Sequence, residues 1–202
     1  MISSETRQLM GKDIVIIDGH PDPDRARFCH ALAATYAESA MEAGHRVSSL
    51  KVAELDIACL RTQAEWEHGE PSATIRAAQQ AIAAASHLVI IYPLWLGDLP
   101  AKLKAFFEQV FRPGYAIQSG KRTLSPGLLK GKSARIIVTM GMPALIYRWF
   151  FFAHSLKSLR RNILYFAGIW PVRESLIGNV EGSASSREKW LQRIRSLARQ
   201  AR

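Results

Sequence analysis

The clearest pattern along the chain is a set of short apolar runs of strand length. Residues 13–18 (DIVIID), 88–92 (LVIIY) and 134–140 (ARIIVTM) are almost unbroken and rich in β-branched side chains, whereas 45–50 and 172–178 mix apolar and polar positions. Continuous runs of this kind suit strands covered on both faces. Between them apolar residues recur at helical spacing. Phe28, Leu32, Tyr36 and Ala43 form one face, closed by Gly44; Ile75, Ala78, Ile82 and Ala85 follow Pro71 and Ser72. Leu99, Leu103, Phe106, Phe107 and Val110 form a third face, and Trp190, Leu191, Ile194, Leu197 and Ala198 a fourth within residues 184–201. Five β–α units joined by right-handed crossovers predict an α/β fold: a five-stranded parallel sheet of order 2-1-3-4-5 with helices on both faces.

Local signals refine this plan. Asp22 or Asp24 is expected to cap the first helix, and Asp98 the helix after residue 98. Residues 51–69, with the charged EWEHGE, read as an exposed loop, and the segment after Pro143 reads as helical over much of its length before Gly168. The stretch RPGYAIQSGKRTLSPGLLKGK is too long for an ordinary connection and is expected to be functional or mobile. Residues 1–11 are expected to be a mobile lead-in to one domain spanning 12–202.

Composition adds a few bounds. With 202 residues and 48% hydrophobic content the chain can bury a substantial core. No apolar run approaches the roughly 20 residues that span a bilayer, and the N-terminal stretch has no secretory apolar region, so a cytoplasmic location is expected. Cys29 and Cys59 have neither metal-ligand nor redox spacing. The formal charge of +10 allows an anionic partner, but six basic residues in the last segment face away from an apolar stripe, the pattern of a solvated helix face. No nucleic-acid signature accompanies them.

Candidate chemistry lies where strands end. The strand ends before Gly19, Pro93 and Gly141 should line one pocket. The first is followed by a helix N-terminus, with Arg25 and Arg27 nearby, which suits a phosphate. The chain has neither G-x-G-x-x-G nor G-x-x-x-x-G-K-[ST], so this is not a dinucleotide fingerprint or a Walker loop. The second end brings PLWLGDL, either a flat ligand wall or a buried connection with Trp95 in the core. The third brings Thr139 and the small Gly141, whose backbone can approach a polar ring edge. A phosphate site, an apolar wall and backbone donors together suit flavin mononucleotide or a related flavin. His20, at the helix mouth, is a cofactor contact or a turn-stabilising residue. Trp149, Phe150, Phe151 and Phe152 surround one turn and cannot all face one core, so a second subunit is favoured over a membrane as their cover.

The segments GHPDPDRARFCHAL, YPLWLGDLPAKLKAFFEQVF with RPGYAI, and TMGMPALIYRWFFFAH resemble the NAD(P)H:quinone oxidoreductase family of flavodoxin-like flavoproteins. The resemblance covers about residues 12–180, in family order. It implies a flavodoxin-like three-layer sandwich and a homodimer carrying FMN or FAD at the subunit interface. Such an enzyme takes hydride from NAD(P)H and passes it, in ping-pong fashion, to a quinone or similar acceptor. It also implies roles. His20, Arg27, Phe28 and Cys29 fall on the cofactor phosphate and ribityl loop; Pro93, Leu94, Trp95 and Leu96 flank the isoalloxazine; Thr139, Met140, Gly141 and Met142 contact its polar edge. Tyr147 and His154 fall near the Tyr and His that stabilise charge on the reduced ring. Arg27 stands where the family has a small hydroxyl residue, and Leu96 and Gly97 replace aromatics. Similar proteins also serve as ancillary subunits of glutathione-gated potassium efflux transporters, which is the alternative the resemblance offers.

Overall fold

The computed structural model describes residues 11–118 and 127–202. The expected lead-in therefore lies outside the described residues except for Gly11, as does residues 119–126 of the long connection.

The three continuous apolar runs become the centre of the sheet. Strands β1 (Asp13–Asp18), β3 (His87–Pro93) and β4 (Ser133–Thr139) are buried along nearly their whole length. The two mixed runs become its edges, β2 (Arg46–Lys51) and β5 (Val172–Ile177), with alternating exposure. All pairings are parallel and the order is β2-β1-β3-β4-β5, the order the sequence pattern predicts.

The two-residue period of each strand splits its apolar side chains between two cores. Val15, Ile17, Leu88, Ile90, Tyr92, Ile136 and Val138 pack with α3 (Ala73–Ala84) and α4 (Ala101–Val110). Ile14, Ile16, Val89, Ile91 and Ile137 pack with α1 (Phe28–Glu42) and α7 (Ala184–Arg199). Burying side chains of this size stabilises by about 1.5–3 kcal/mol each before entropy is counted. Gly44 closes α1 in the left-handed region, at φ +83°, where a side chain would be strained. Ser72 caps α3 by accepting from Ile75 N at 3.3 Å.

Three local expectations are corrected, and a fourth is refined. Residues 51–69 are not all loop: Val52–Glu54 form a short 3₁₀ turn and Gln63–His68 a helix, α2. Thr62 caps α2 by accepting from Glu65 N, while Glu65 accepts from Arg61 N, close to a reciprocal capping box. The helix buries no residue, so apolar periodicity could not reveal it. Asp22 and Asp24 do not cap α1, whose N-cap is Arg27; they accept instead from Asp24 N and Ala26 N inside the preceding loop. Asp98 accepts from Leu99 N, and α4 begins after Pro100. The segment after Pro143 is helical over much of its length, as expected, but in pieces: α5 (Ala144–Trp149) ends before Phe152 and Ala153, both at positive φ, then α6 (His154–Ser158) leads into a wide helical turn at Leu159–Tyr165.

Candidate active site

Backbone hydrogen bonds tie the carboxyl ends of the strands together. Gly19 N donates to Ile91 O at 2.7 Å, Leu94 N to Thr139 O at 2.8 Å, and Met140 N to Ile177 O at 2.9 Å. The loop after β5 folds back, with Val180 N donating to Met140 O and Asn179 N to Met142 O. Gly178 makes this approach possible, because a Cβ there would lie 2.4 Å from Ala144 N and 2.7 Å from Met142 O.

The result is a cleft of about 520 Å³. His20, Arg27, Phe28 and Cys29 line it from the first loop, Pro93, Leu94 and Trp95 from the second, and Thr139, Met140 and Gly141 from the third. Ten of the expected cofactor residues therefore meet in one place. Leu96 and Met142 instead line an adjoining cleft of about 670 Å³ together with Tyr147, Phe151 and His154; Leu94 belongs to both. The two clefts lie side by side.

The first loop is organised by its acids. Asp18, at the end of β1 and 4% exposed, meets His30 Nδ1 at 2.5 Å through one oxygen and accepts from His20 N through the other. His20 Nδ1 accepts from Asp22 N at 3.1 Å, so the neutral ring carries its proton on Nε2 and can donate from there. Burial, reinforced by the charge of His30, lowers the His20 pKa and keeps the ring neutral near pH 7. Arg27 is paired with Asp22 at 2.7 Å and Asp24 at 3.5 Å, so its charge is largely spent within the loop rather than offered to a phosphate. Arg25 lies on a separate cleft beside β2. Within this loop, the anion-attracting elements that remain are the first-turn N–H groups of α1 and its dipole.

Cys29 is buried, contacts Thr139 Oγ1 at 3.2 Å, and has its thiol pushed up to about 12 by burial. It is a neutral wall residue, unsuited to nucleophilic or redox work. Trp95 is not a core residue: it is 47% exposed and sits edge-on to His20 with ring centroids 5.8 Å apart. Trp95 and Asp98 exchange backbone hydrogen bonds across a tight turn, with Leu96 at φ +48° and Gly97 at φ +80°. Leu96 projects entirely into solvent. At Gly141 an added Cβ would meet no protein atom within 4 Å. The chain's own packing does not demand a glycine there, whereas a ligand pressed against that backbone would.

In the second cleft Tyr147 is buried and its hydroxyl lies 2.7 Å from Ser155 Oγ while accepting from Leu156 N at 3.2 Å. That bond satisfies an orphan N–H of α6. Burial, partly offset by these hydrogen bonds, raises the Tyr147 pKa, so the phenol acts as a hydrogen-bond donor or acceptor rather than a base. His154 is exposed at the start of α6.

Sequence reasoning missed the fourth strand end. Val180, Glu181 and Arg187 also line the main cleft, and Arg187 donates to Val180 O and Gly182 O. In sequence, Arg187 is one of the six basic residues of the last segment that read as a solvated helix face. Its place in the first turn of a helix that directly follows a strand end was the available signal.

The fold has counterparts. The model of the Flavodoxin_2 family, described as a flavodoxin-like fold, matches residues 12–200, and the chain belongs to that family. It is 28% identical over 170 residues to an uncharacterized NAD(P)H oxidoreductase of Haemophilus influenzae, covering 82% of this chain and 83% of that one. Among solved structures, the NAD(P)H:quinone oxidoreductase from Methanothermobacter marburgensis superposes with a TM-score of 0.77 at 26% identity, over 94% of this chain and 96% of that chain. A Bacillus anthracis FMN-dependent NADH-azoreductase in complex with FMN shares the fold, with a TM-score of 0.73 at 18% identity, over 94% and 98% of the two chains.

Proposed function

We propose that the protein is a flavin-dependent NAD(P)H oxidoreductase that passes hydride from NAD(P)H to a quinone or similar small acceptor by a ping-pong sequence. FMN or FAD would reside in the cleft at the strand ends. The observation that carries this reading is the meeting, in one cleft, of a helix N-terminus, a half-exposed Trp95 and a glycine-bearing strand end. Likeness over nearly the whole chain to a protein named NAD(P)H:quinone oxidoreductase supports it.

The residues present fit a flavin. The first turn of α1, with Phe28 and Cys29, and the Nε2–H of His20 offer donors to a phosphate. Pro93, Leu94 and Trp95 supply an apolar wall, and Thr139, Met140 and Gly141 a backbone edge with room for close approach. When bound, the flavin supplies the two-electron chemistry. The chain positions it, and the neutral Cys29 thiol brings no competing reaction. Tyr147 and His154, both on the adjoining cleft, are the groups proposed to steady charge on the reacting ring and substrates. Ser155 and Leu156 hold the Tyr147 hydroxyl in one orientation.

A homodimer completes the proposal. Leu145, Trp149, Phe150 and Phe152 are between 64% and 74% exposed, next to the cleft that contains Phe151 and His154. A second copy would cover this apolar patch and narrow the mouth of the site. No helix among the described residues is long and apolar enough to cross a membrane. The direct test is anaerobic: protein reconstituted with flavin should be bleached by NADH or NADPH and recover its absorbance on addition of a quinone. Flavin that stays oxidised with both nucleotides would refute the reading.

A further inference from the structure

The cluster behind the first loop has a feature the proposed chemistry does not use. His30 lies in the first turn of α1, its side chain 17% exposed. Its Nδ1 meets Asp18 Oδ2 at 2.5 Å and its Nε2 meets the backbone oxygen of Asp22 at 2.9 Å. A carboxylate and a carbonyl are both acceptors, so with Asp18 ionised both ring nitrogens must carry protons. We propose that His30 is a positioning residue, held as an imidazolium, that fixes the first loop and cancels the Asp18 charge so that the loop can accept the phosphate of a flavin. This rests on the flavin reading above.

Four bonds make the positioning concrete. His30 holds Asp18 and Asp22 O; Asp18 in turn accepts from His20 N; and Asp22 N donates to His20 Nδ1. The cationic ring thus fixes both sides of the turn that sets the His20 tautomer. Removing one proton leaves a lone pair facing either the carboxylate or the carbonyl, and one of the two bonds is lost. It also leaves Asp18 as an uncompensated, buried negative charge at the strand end beside the expected phosphate, where it would oppose an anion. Arg27 deals with Asp22 and Asp24, so His30 is the partner left for Asp18 within this loop.

The charged and titratable groups around His30 are Asp18 at the end of β1, His20, Asp22 and Arg25 in the loop, and Lys51 and Glu54 after β2. Burial and the Lys51 charge work against protonation. The hydrogen bonds to Asp18 and Asp22 outweigh them, and the His30 pKa is raised above its ordinary value of 6.5. The effect on ligand binding should therefore be full below the ordinary imidazole value and fade as the pH rises through the raised folded pKa.

The experiment compares FMN with riboflavin, which lacks the phosphate, on the full chain and on His30→Gln between pH 7 and 9. For the parent, FMN should bind more tightly than riboflavin at pH 7, and this advantage should fall about tenfold toward pH 9. For His30→Gln, FMN affinity at pH 7 should drop roughly tenfold, riboflavin affinity should change by less than about twofold, and the pH dependence should flatten. Riboflavin binding also reports that the variant is folded. Nitrogen NMR of the parent without ligand should show both ring nitrogens of His30 protonated at pH 7. A neutral His30 in that spectrum, or equal losses of FMN and riboflavin in the variant, would overturn the proposal while leaving flavin binding intact. A parent that binds neither flavin would instead overturn the functional reading, and the phosphate role of His30 with it.

Discussion

His87 gives the fold a calculable sensitivity to acid. It begins β3, is 2% exposed, and meets Ser133 Oγ at 2.8 Å through Nδ1, while its Nε2 is buried without a partner among the described residues. Burial, aided by the positive charges of Lys12, Arg135 and Arg173, pushes its pKa down to about 3. The unfolded chain titrates near 6.5, so between about pH 6.5 and pH 3 the unfolded state holds a proton that the native state refuses. Stability must then rise with pH across that window and be lost as the pH falls. Two units below 6.5, at about pH 4.5, the accumulated loss relative to pH 7 is about 2.5 kcal/mol, at 1.36 kcal/mol per unit less a small residue at pH 7. The His87→Leu/Ser133→Ala double variant removes the titrating ring and its partner together, so no buried hydroxyl is stranded. Urea denaturation at pH 7 and pH 4.5 should show the parent losing about 2.5 kcal/mol more than the double variant. Equal losses would mean that His87 is protonated in the native state, and the argument from burial would fail.

Three further outcomes follow from the site. Gly141→Val places a side chain where the protein has open space, so stability should change by no more than about 0.5 kcal/mol while flavin affinity falls at least about tenfold; unchanged affinity in a titration would remove Gly141 from the site. Gly178→Ala drives a Cβ into the backbone of Met142 and Ala144, and should cost about 2 kcal/mol or more, or roughly 4–8 °C in Tm, together with weaker flavin binding; a Tm within a degree of the parent would contradict the close packing of this loop. Tyr147→Phe strips Leu156 N of its acceptor, so it should cost about 1 kcal/mol and slow hydride transfer with flavin retained; stopped-flow rates for this variant and for His154→Gln that match the parent would remove both from the reaction.

The central part of this molecule was legible because burial on both faces writes itself as continuous apolar sequence. β1, β3 and β4 could be read almost to the residue, and their order followed from the β–α alternation. What escaped has identifiable causes. α2 contributes nothing to either core, so only its Thr62 and Glu65 caps marked it. Asp22, Asp24 and Asp98 are typical capping residues, but each found a nearer backbone N–H inside its own turn, a competition invisible in one dimension. The break at Phe152 and Ala153 interrupts residues that individually tolerate a helix, and it is accompanied by a bond from Leu156 N to the Tyr147 hydroxyl, nine residues apart. The division of the site into two clefts and the arrival of Arg187 from the last helix are tertiary facts with no periodic signature. Arg27 shows the converse: its charge suggested a phosphate ligand, and only the structure shows two carboxylates already claiming it.

The most direct measurement is a titration of the purified full chain, stripped of small molecules, with FMN and with FAD, followed by visible absorbance and flavin fluorescence. The cleft at the strand ends should take up one flavin per chain with saturable quenching or enhancement, and Gly141→Val should abolish most of that signal. A parent protein whose spectra are unaltered by a large excess of either flavin would contradict the account at its base.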